Sequence, residues 1–408
     1  MPTVTTYPGV FGPYSPITFT RASTATYFDS TGTLTTAATN APRLDYNPST
    51  LAAQGFLVEE SRTNSIRNNT MQGAAAGTPG TAPTNWVVST ATGNLTTREI
   101  VGTGTENGIT YVDVRFVTSG AFTASIYADS STGVAALNGQ TWTSSFYIKL
   151  AGGSLTNLTM RLSIVENDSG GNFLAGADSA AFVPTSAALR TQRFAQTYTN
   201  TNASTAFEWG RIKFEFTGAG DVTLRVGLPQ FELGAFATSV IPTTTTALTR
   251  AADVASVNTL SPWYNSASGT LYVQGILVGG TAATFPYQTA LVGSNANNDS
   301  IGVNWGANAG TMRWNVRVGG ASQADQNAGS GKSAGSSYKV AGRYATNDFQ
   351  LAVDGSLGTA DTSGSLPTIT ALSLGGPVSF QPGANVWLQR VTYYPRGLAN
   401  AELQTITS

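Results

Sequence analysis

Carboxylates are the one set of catalytic side chains this chain holds in number, with 22 Asp and Glu, no histidine and no cysteine. That composition removes Ser-His-Asp triads, imidazole acid–base work and thiolate nucleophiles. It leaves paired-carboxylate chemistry, as in glycoside hydrolysis, where two acids flank one bond. No Glu occurs between Glu232 and Glu402, so the last third has no Glu pair. Its Asp residues at 299, 325, 348, 354 and 361 lie mostly beside Gly, Asn or Ser, as turn residues do. Glu208 and Glu215 are expected to share a solvated strand face. Gly329-Ser330-Gly331-Lys332-Ser333 resembles a phosphate loop, but Gln326 stands where the motif needs glycine, and the stretch reads as a flexible loop. Two clusters, Glu166 to Asn172 and Asn297-Asn298-Asp299, offer oxygen ligands of the kind calcium takes. Asx turns explain both. The expectation is a chain that is not an enzyme and has no cofactor, with a structural Ca2+ the one ion left open.

Binding without chemistry asks for different residues. A pyranose stacks its apolar face on a ring and needs planar donors and acceptors for its hydroxyls. Trp142, Trp305 and Trp314 are in phase with apolar strand positions and read as core. Tyr111, Tyr147, Trp209 and Arg211 fall on the opposite phase, flanked by Lys149 and Lys213. They are the candidates for one sugar-contacting face of a sheet.

The elements that must position them are strands. Val112, Val114 and Phe116 alternate with Asp113 and Arg115; Phe146, Ile148 and Leu150 alternate with Tyr147 and Lys149; Ile212, Phe214 and Phe216 alternate with Lys213 and Glu215. Such period-2 segments, separated by Gly, Asn and Asp, predict antiparallel sheets packed on one side. A second set follows, with Met312, Trp314, Val316 and Val318 alternating with Arg313, Asn315 and Arg317. Asn400 is expected to cap a short terminal helix. The first 80 residues carry weak periodicity and many prolines. They should need a partner surface, either neighbouring copies, the next domain or a larger particle. Tyr7, Phe11 and Tyr14 are the expected apolar anchors there. The fold class is therefore all-β: an irregular attachment or oligomerisation segment over 1–83, then two antiparallel sandwiches over 84–247 and 248–408.

Charged residues make up only 11% of the 408 residues, and net charge is −1, against about 25% charged in an average soluble protein. Such a surface has no electrostatic footprint for nucleic acid or anionic membrane. No secretory signal and no membrane span is expected from the sequence.

Three stretches carry a family resemblance. Ile17 to Gly32, Pro42 to Tyr46 and Gly55 to Asn64 resemble the N-terminal module of tailed-phage head-spike and tail-fibre proteins, also found on gene transfer agents. Leu224 to Thr243 closes a unit that resembles a carbohydrate-binding-module jelly roll. Gly269 to Val273, Phe349 to Gly355 and Val391 to Leu403 look like a concanavalin A-like, LamG-type jelly roll. The resemblance implies a homo-oligomeric protein on the virion surface, bound to other virion proteins, that adheres to host-cell glycan. A capsid or tail cement protein and a polysaccharide depolymerase are the alternatives.

Overall fold

The computed structural model describes residues 4–6, 16–91, 93–129, 133–279, 287–295, 298–305, 310–375 and 385–408. Nearly all regular structure in them is antiparallel sheet. In the middle sandwich, a five-stranded sheet has the order Arg193–Thr199, Thr141–Gly153, Ala219–Leu233, Ile109–Ser119, Leu95–Glu106. It faces a sheet ordered Phe173–Asp178, Leu158–Asn167, Phe207–Phe216, Phe122–Tyr127, Val87–Thr90. Alternation decides which side chains fill the space between. Val112, Val114, Phe116, Phe146, Ile148, Ile212 and Phe214 all point inward and are buried, and Phe116 and Phe214 meet with centroids 5.3 Å apart.

The C-terminal sandwich is built the same way but is not contiguous in sequence. Its larger sheet runs Ser356–Leu357, Asp348–Val353, Ser337–Ala345, Ser268–Gly279, Asn385–Tyr394, Ala53–Val58, Leu44–Tyr46. The facing sheet begins with Ile17–Thr20 and continues through Val254–Val257, Ala371–Leu374, Tyr287–Val292, Ser300–Trp305, Met312–Val318 and Ala321–Ala328. Trp314 is fully buried in this core, as its phase predicts. A Cβ on Gly342 would come within 2.2 Å of the Trp314 ring, so only glycine fits opposite it. Trp142 and Trp305 are also core residues.

The first 83 residues are less irregular than the prolines suggest. Four of their strands join the sheets of the C-terminal sandwich, and Phe56 and Val58 sit in its core. The Gly- and Ala-rich stretch from Gly73 to Pro83 lies against the middle sandwich, through a bridge from Gly77 to Ile100. Low periodicity misled here because each strand is only three to six residues long and completes a sheet begun elsewhere. Tyr7, Phe11 and Tyr14 lie outside the described residues. The terminal helix, Asn400–Thr407, is capped by Ala399 rather than Asn400; the Glu402 carboxylate accepts from the Ala399 backbone N–H at 2.8 Å. The phosphate-loop look-alike is a loop, with Lys332 paired to Asp354 at 2.5 Å.

Candidate functional site

The stretches Ile17 to Gly32, Pro42 to Tyr46 and Gly55 to Asn64 meet around one buried ionic cluster. Arg21 leaves the strand Ile17–Thr20 and reaches Asp253 at 3.0 Å, with Ser23 O and Ala38 O taking its other donors at 2.9 and 2.7 Å. Arg43 donates to Glu59 at 2.8 Å, to Ser239 Oγ at 2.9 Å and to Asp253. Arg250 lies 3.5 Å from Glu59. All five side chains are at most 1% exposed, so the opposite charges must satisfy one another. Burial pushes the Glu59 carboxyl up, but Arg250 and Arg43 outweigh it and hold it at about 2. The cluster ties the opening segment to Ser239, at the end of the middle unit, and to Asp253, at the start of the C-terminal one.

Above this cluster is a cleft of about 330 Å3, lined by all three segments. That is at the small end of ligand pockets, which run from ~300 to 1,000 Å3. Tyr27 and Phe28 enter from the hairpin Ala25–Phe28 and Leu34–Ala37, Tyr147 from the middle sandwich, and Trp387 from the C-terminal one. The hairpin turn is set by Asp29, whose carboxylate takes the N–H groups of Thr31 and Thr33 at 2.9 and 3.0 Å, and by Gly32 at φ +76°, a conformation that favours glycine. Arg193 stands 5.6 Å from the Tyr147 ring centroid and donates to Thr238 O at 2.7 Å. Arg190 is held by Pro48 O at 2.8 Å. Asp45 accepts from Phe28 N at 2.7 Å and Trp387 Nε1 at 2.8 Å; burial raises its carboxyl to about 6 against those two donors. Rings, guanidinium groups and hydroxyls thus converge on one concave surface, while both carboxyls on it already have partners.

The four residues chosen by strand phase do point away from the sandwich core, but they do not share a face. Tyr111 and Tyr147 are on the outer side of the five-stranded sheet; Trp209 and Arg211 are on the outer side of the opposite sheet. Tyr147 is also not exposed, at 2%. The opening segment covers it, packing Phe28 with Tyr147, Ile109, Leu189, Leu228 and Val240 in a separate apolar cluster. Tyr111 lies under the Arg225 guanidinium, 3.6 Å from its ring centroid. Trp209 meets Tyr127 edge-on at 6.3 Å, and Arg211 donates to the Tyr127 hydroxyl at 2.6 Å. Phase alone reports which way a side chain leaves its own strand. It does not report which sheet the strand joins or what lies over it.

The phase of Glu208 and Glu215 needs correction as well. The strand Phe207–Phe216 pairs without a break, and residues seven apart point to opposite faces. Glu215 lies on the outer side with Arg161 at 2.5 Å. Glu208 is fully buried on the inner side, directly opposite Glu166. Burial pushes Glu166 up, but donors from Thr205, Tyr198, Thr201 and Asn202 outweigh it and lower its carboxyl. Burial raises Glu208 to about 8. Two acids with values pushed apart are the acid–base pattern of hydrolases, yet neither lines a described cleft. The Asp168 loop is an Asx turn, closed on Asn172 N and Gly170 N at 2.8 Å each. Asn297, of the second oxygen cluster, lies outside the described residues.

No known family model and no curated protein matches the chain. Among solved structures it is similar to the CBM40 module of the Ruminococcus gnavus IT-sialidase bound to α2,3-sialyllactose, at 15% identity and a TM-score of 0.30, covering 35% of this chain and 84% of that one. The CBM22-1 xylan-binding domain of Paenibacillus barcinonensis Xyn10C gives 16% and 0.24, covering 45% and 97%. Trypanosoma rangeli sialidase with the inhibitor DANA gives 12% and 0.30, covering 72% and 60%. The side chains of the cleft, and not these likenesses, carry the functional reading.

Proposed function

We propose that this chain is a glycan-binding protein without catalytic activity, displayed on a virion as a spike or fibre, and that the junction cleft is its sugar site. One observation carries the reading: the partly exposed Tyr27 and Trp387 rings meet Arg190 and Arg193 in a cleft of about 330 Å3, over the buried Tyr147. Rings offer stacking planes, and the polar groups offer directional bonds to hydroxyls. A single shallow site of this kind binds at roughly millimolar strength, near −4 kcal/mol. Display of many copies on one particle raises avidity by ~10²–10⁴. The virion part of the reading is supported by the resemblance of Ile17 to Asn64 to spike modules.

The test is a glycan array followed by calorimetry on the purified full chain. Tyr27→Ala and Arg190→Ala, both at the half-buried rim, should each weaken the best ligand by about tenfold while the protein stays folded. Undiminished binding in both variants would move the site elsewhere. Silence across the array would favour a cement role. A depolymerase is the second reading, because Asp45 at about 6 shares the cleft with Glu59 at about 2. If the chain released reducing ends from capsule and Asp45→Asn stopped it, hydrolysis would replace adhesion.

A further inference from the structure

Two neighbouring strands of the larger C-terminal sheet each carry an extra residue beside the cleft, and both extra residues are glutamine. In Ala53–Val58, Gly55 pairs with Asp45 and Ala53 with Tyr46, so Gln54 is left over. In Asn385–Tyr394, Leu388 pairs with Gly275 and Arg390 with Gln274, so Gln389 is left over. Such bulges re-aim a side chain and recur next to active sites. Leu388 and Val391 both enter the sandwich core, and the bulge lets Gln389 and Arg390 leave together on the outer side, with Trp387. Gln54 lines the cleft, as do Leu57, Val278 and Trp387. Gly55 separates the two glutamines without a side chain of its own; a Cβ there would stand 2.6 Å from Leu388 O and 3.2 Å from Gln389 Cγ. A chain of hydrogen bonds fixes the second amide. The Tyr272 hydroxyl donates to Gln274 Oε1 at 3.0 Å, and Gln274 Nε2 donates to Gln389 Oε1 at 3.2 Å. Turning Gln389 over would set nitrogen against nitrogen. Its Nε2 is therefore presented as a double donor, with no partner among the described residues. Gln54, Gln389 and Gln274 are all half-buried. They stand on three successive strands, so the row spans about 10 Å at the usual strand spacing.

We infer that this row is a second subsite continuous with the cleft, and that the protein takes an extended stretch of polysaccharide, several sugar units long, rather than a single terminal sugar. The inference rests on the reading of the cleft as a sugar site. The cleft supplies rings. The row supplies planar amides, whose paired donors and acceptor suit adjacent hydroxyls. Gln389 leaves the same strand on the same side as Trp387, about 7 Å further along it. A sugar stacked on Trp387 therefore has its neighbour in the polysaccharide over Gln389, whose Nε2 donors need an acceptor oxygen. A single sugar in the cleft would leave the row to water. Beyond Gln389, Gln274 and the Arg390 guanidinium, 5.2 Å from the Tyr272 ring centroid, continue the polar strip across the sheet.

The experiment takes the polysaccharide that the full chain binds best on the array and cuts it with mild acid into fragments separated by length, from the single sugar upward. Calorimetry should show affinity rising by about tenfold or more from the single sugar to fragments long enough to cross three strands, and levelling beyond them. Gln389→Ala should remove most of that rise and leave the single sugar unaffected, at an unchanged melting temperature. Gln389→Glu keeps the packing and the acceptor but not the donors, so it should lose the rise as well. It decides the matter should the alanine variant fail to fold. Tyr27→Ala should weaken fragments of every length. Affinity that does not change with length, or a rise that survives both Gln389 variants, would overturn the inference and leave the cleft in place. No binding at any length, or binding that Tyr27→Ala leaves intact, would overturn the cleft reading and this inference with it.

Discussion

At the junction of the three segments, Arg21, Arg43 and Arg250 meet Glu59 and Asp253 with side chains no more than 1% exposed. In the middle sandwich, Glu166 and Glu208 are equally buried but of like sign, and neither forms an ion pair among the described residues. The first cluster neutralises itself with side chains from distant parts of the sequence. The second relies on hydrogen-bond donors to Glu166 and on a proton at Glu208. Burial is the same in both, so the difference lies in the sign of the neighbour. The junction should therefore depend on every partner being present, and the sandwich on pH.

The largest expected effect is at the junction. Arg43→Ala leaves Glu59 and Asp253 buried with fewer partners, and breaking a buried pair this way costs about 3–5 kcal/mol. Urea unfolding of the full chain at pH 7 measures it. A loss below about 1 kcal/mol would mean that water enters the junction and that the cluster is not the tie between segments.

The next effect tests the like-charge pair. The Glu208 carboxyl is raised from an unfolded value near 4.5 to about 8. The folded state thus holds the proton more tightly, so the associated stability is complete below about 4.5 and declines as pH rises to about 8. The whole decline is on the order of 4–5 kcal/mol. Glu208→Gln removes it, so the variant should match the unaltered chain at pH 5 and exceed it at pH 9. Parallel melting curves at both pH values would show that Glu208 ionises freely and that the contrast between the clusters is wrong.

The same contrast separates what the sequence discloses from what it does not. Local alternation placed the strands and put Trp142, Trp305 and Trp314 inside, because a strand's phase is fixed by its nearest neighbours in sequence. Arg21 and Arg250 stand in the matching runs Thr20-Arg21-Ala22 and Thr249-Arg250-Ala251, yet nothing local says that 229 residues of chain bring them to one cluster. The cleft is hidden for the same reason, since Tyr27, Tyr147 and Trp387 come from three different segments. Tyr147 was found by its phase, but its cover, Phe28 and the opening hairpin, is a tertiary fact. Glu208 was legible: it is even-numbered, like the buried Ile212, Phe214 and Phe216 of its strand. Assigning Glu208 and Glu215, seven residues apart, to one face of that strand concealed it.

The smallest expected effect comes from charges of the same kind left near solvent. Arg225 pairs with Asp113 at 2.9 Å and Glu106 at 2.7 Å, and covers the Tyr111 ring on the outer face of the five-stranded sheet. It makes as many carboxylate contacts as Arg43, but it is about one-fifth exposed. Water solvates the groups it would leave behind, so Arg225→Ala should cost no more than about 1 kcal/mol, most of it screened by salt. Urea unfolding at low and high ionic strength reads both quantities. A salt-insensitive loss as large as that of Arg43→Ala would show that the number of partners, and not their burial, governs what an ion pair contributes in this fold.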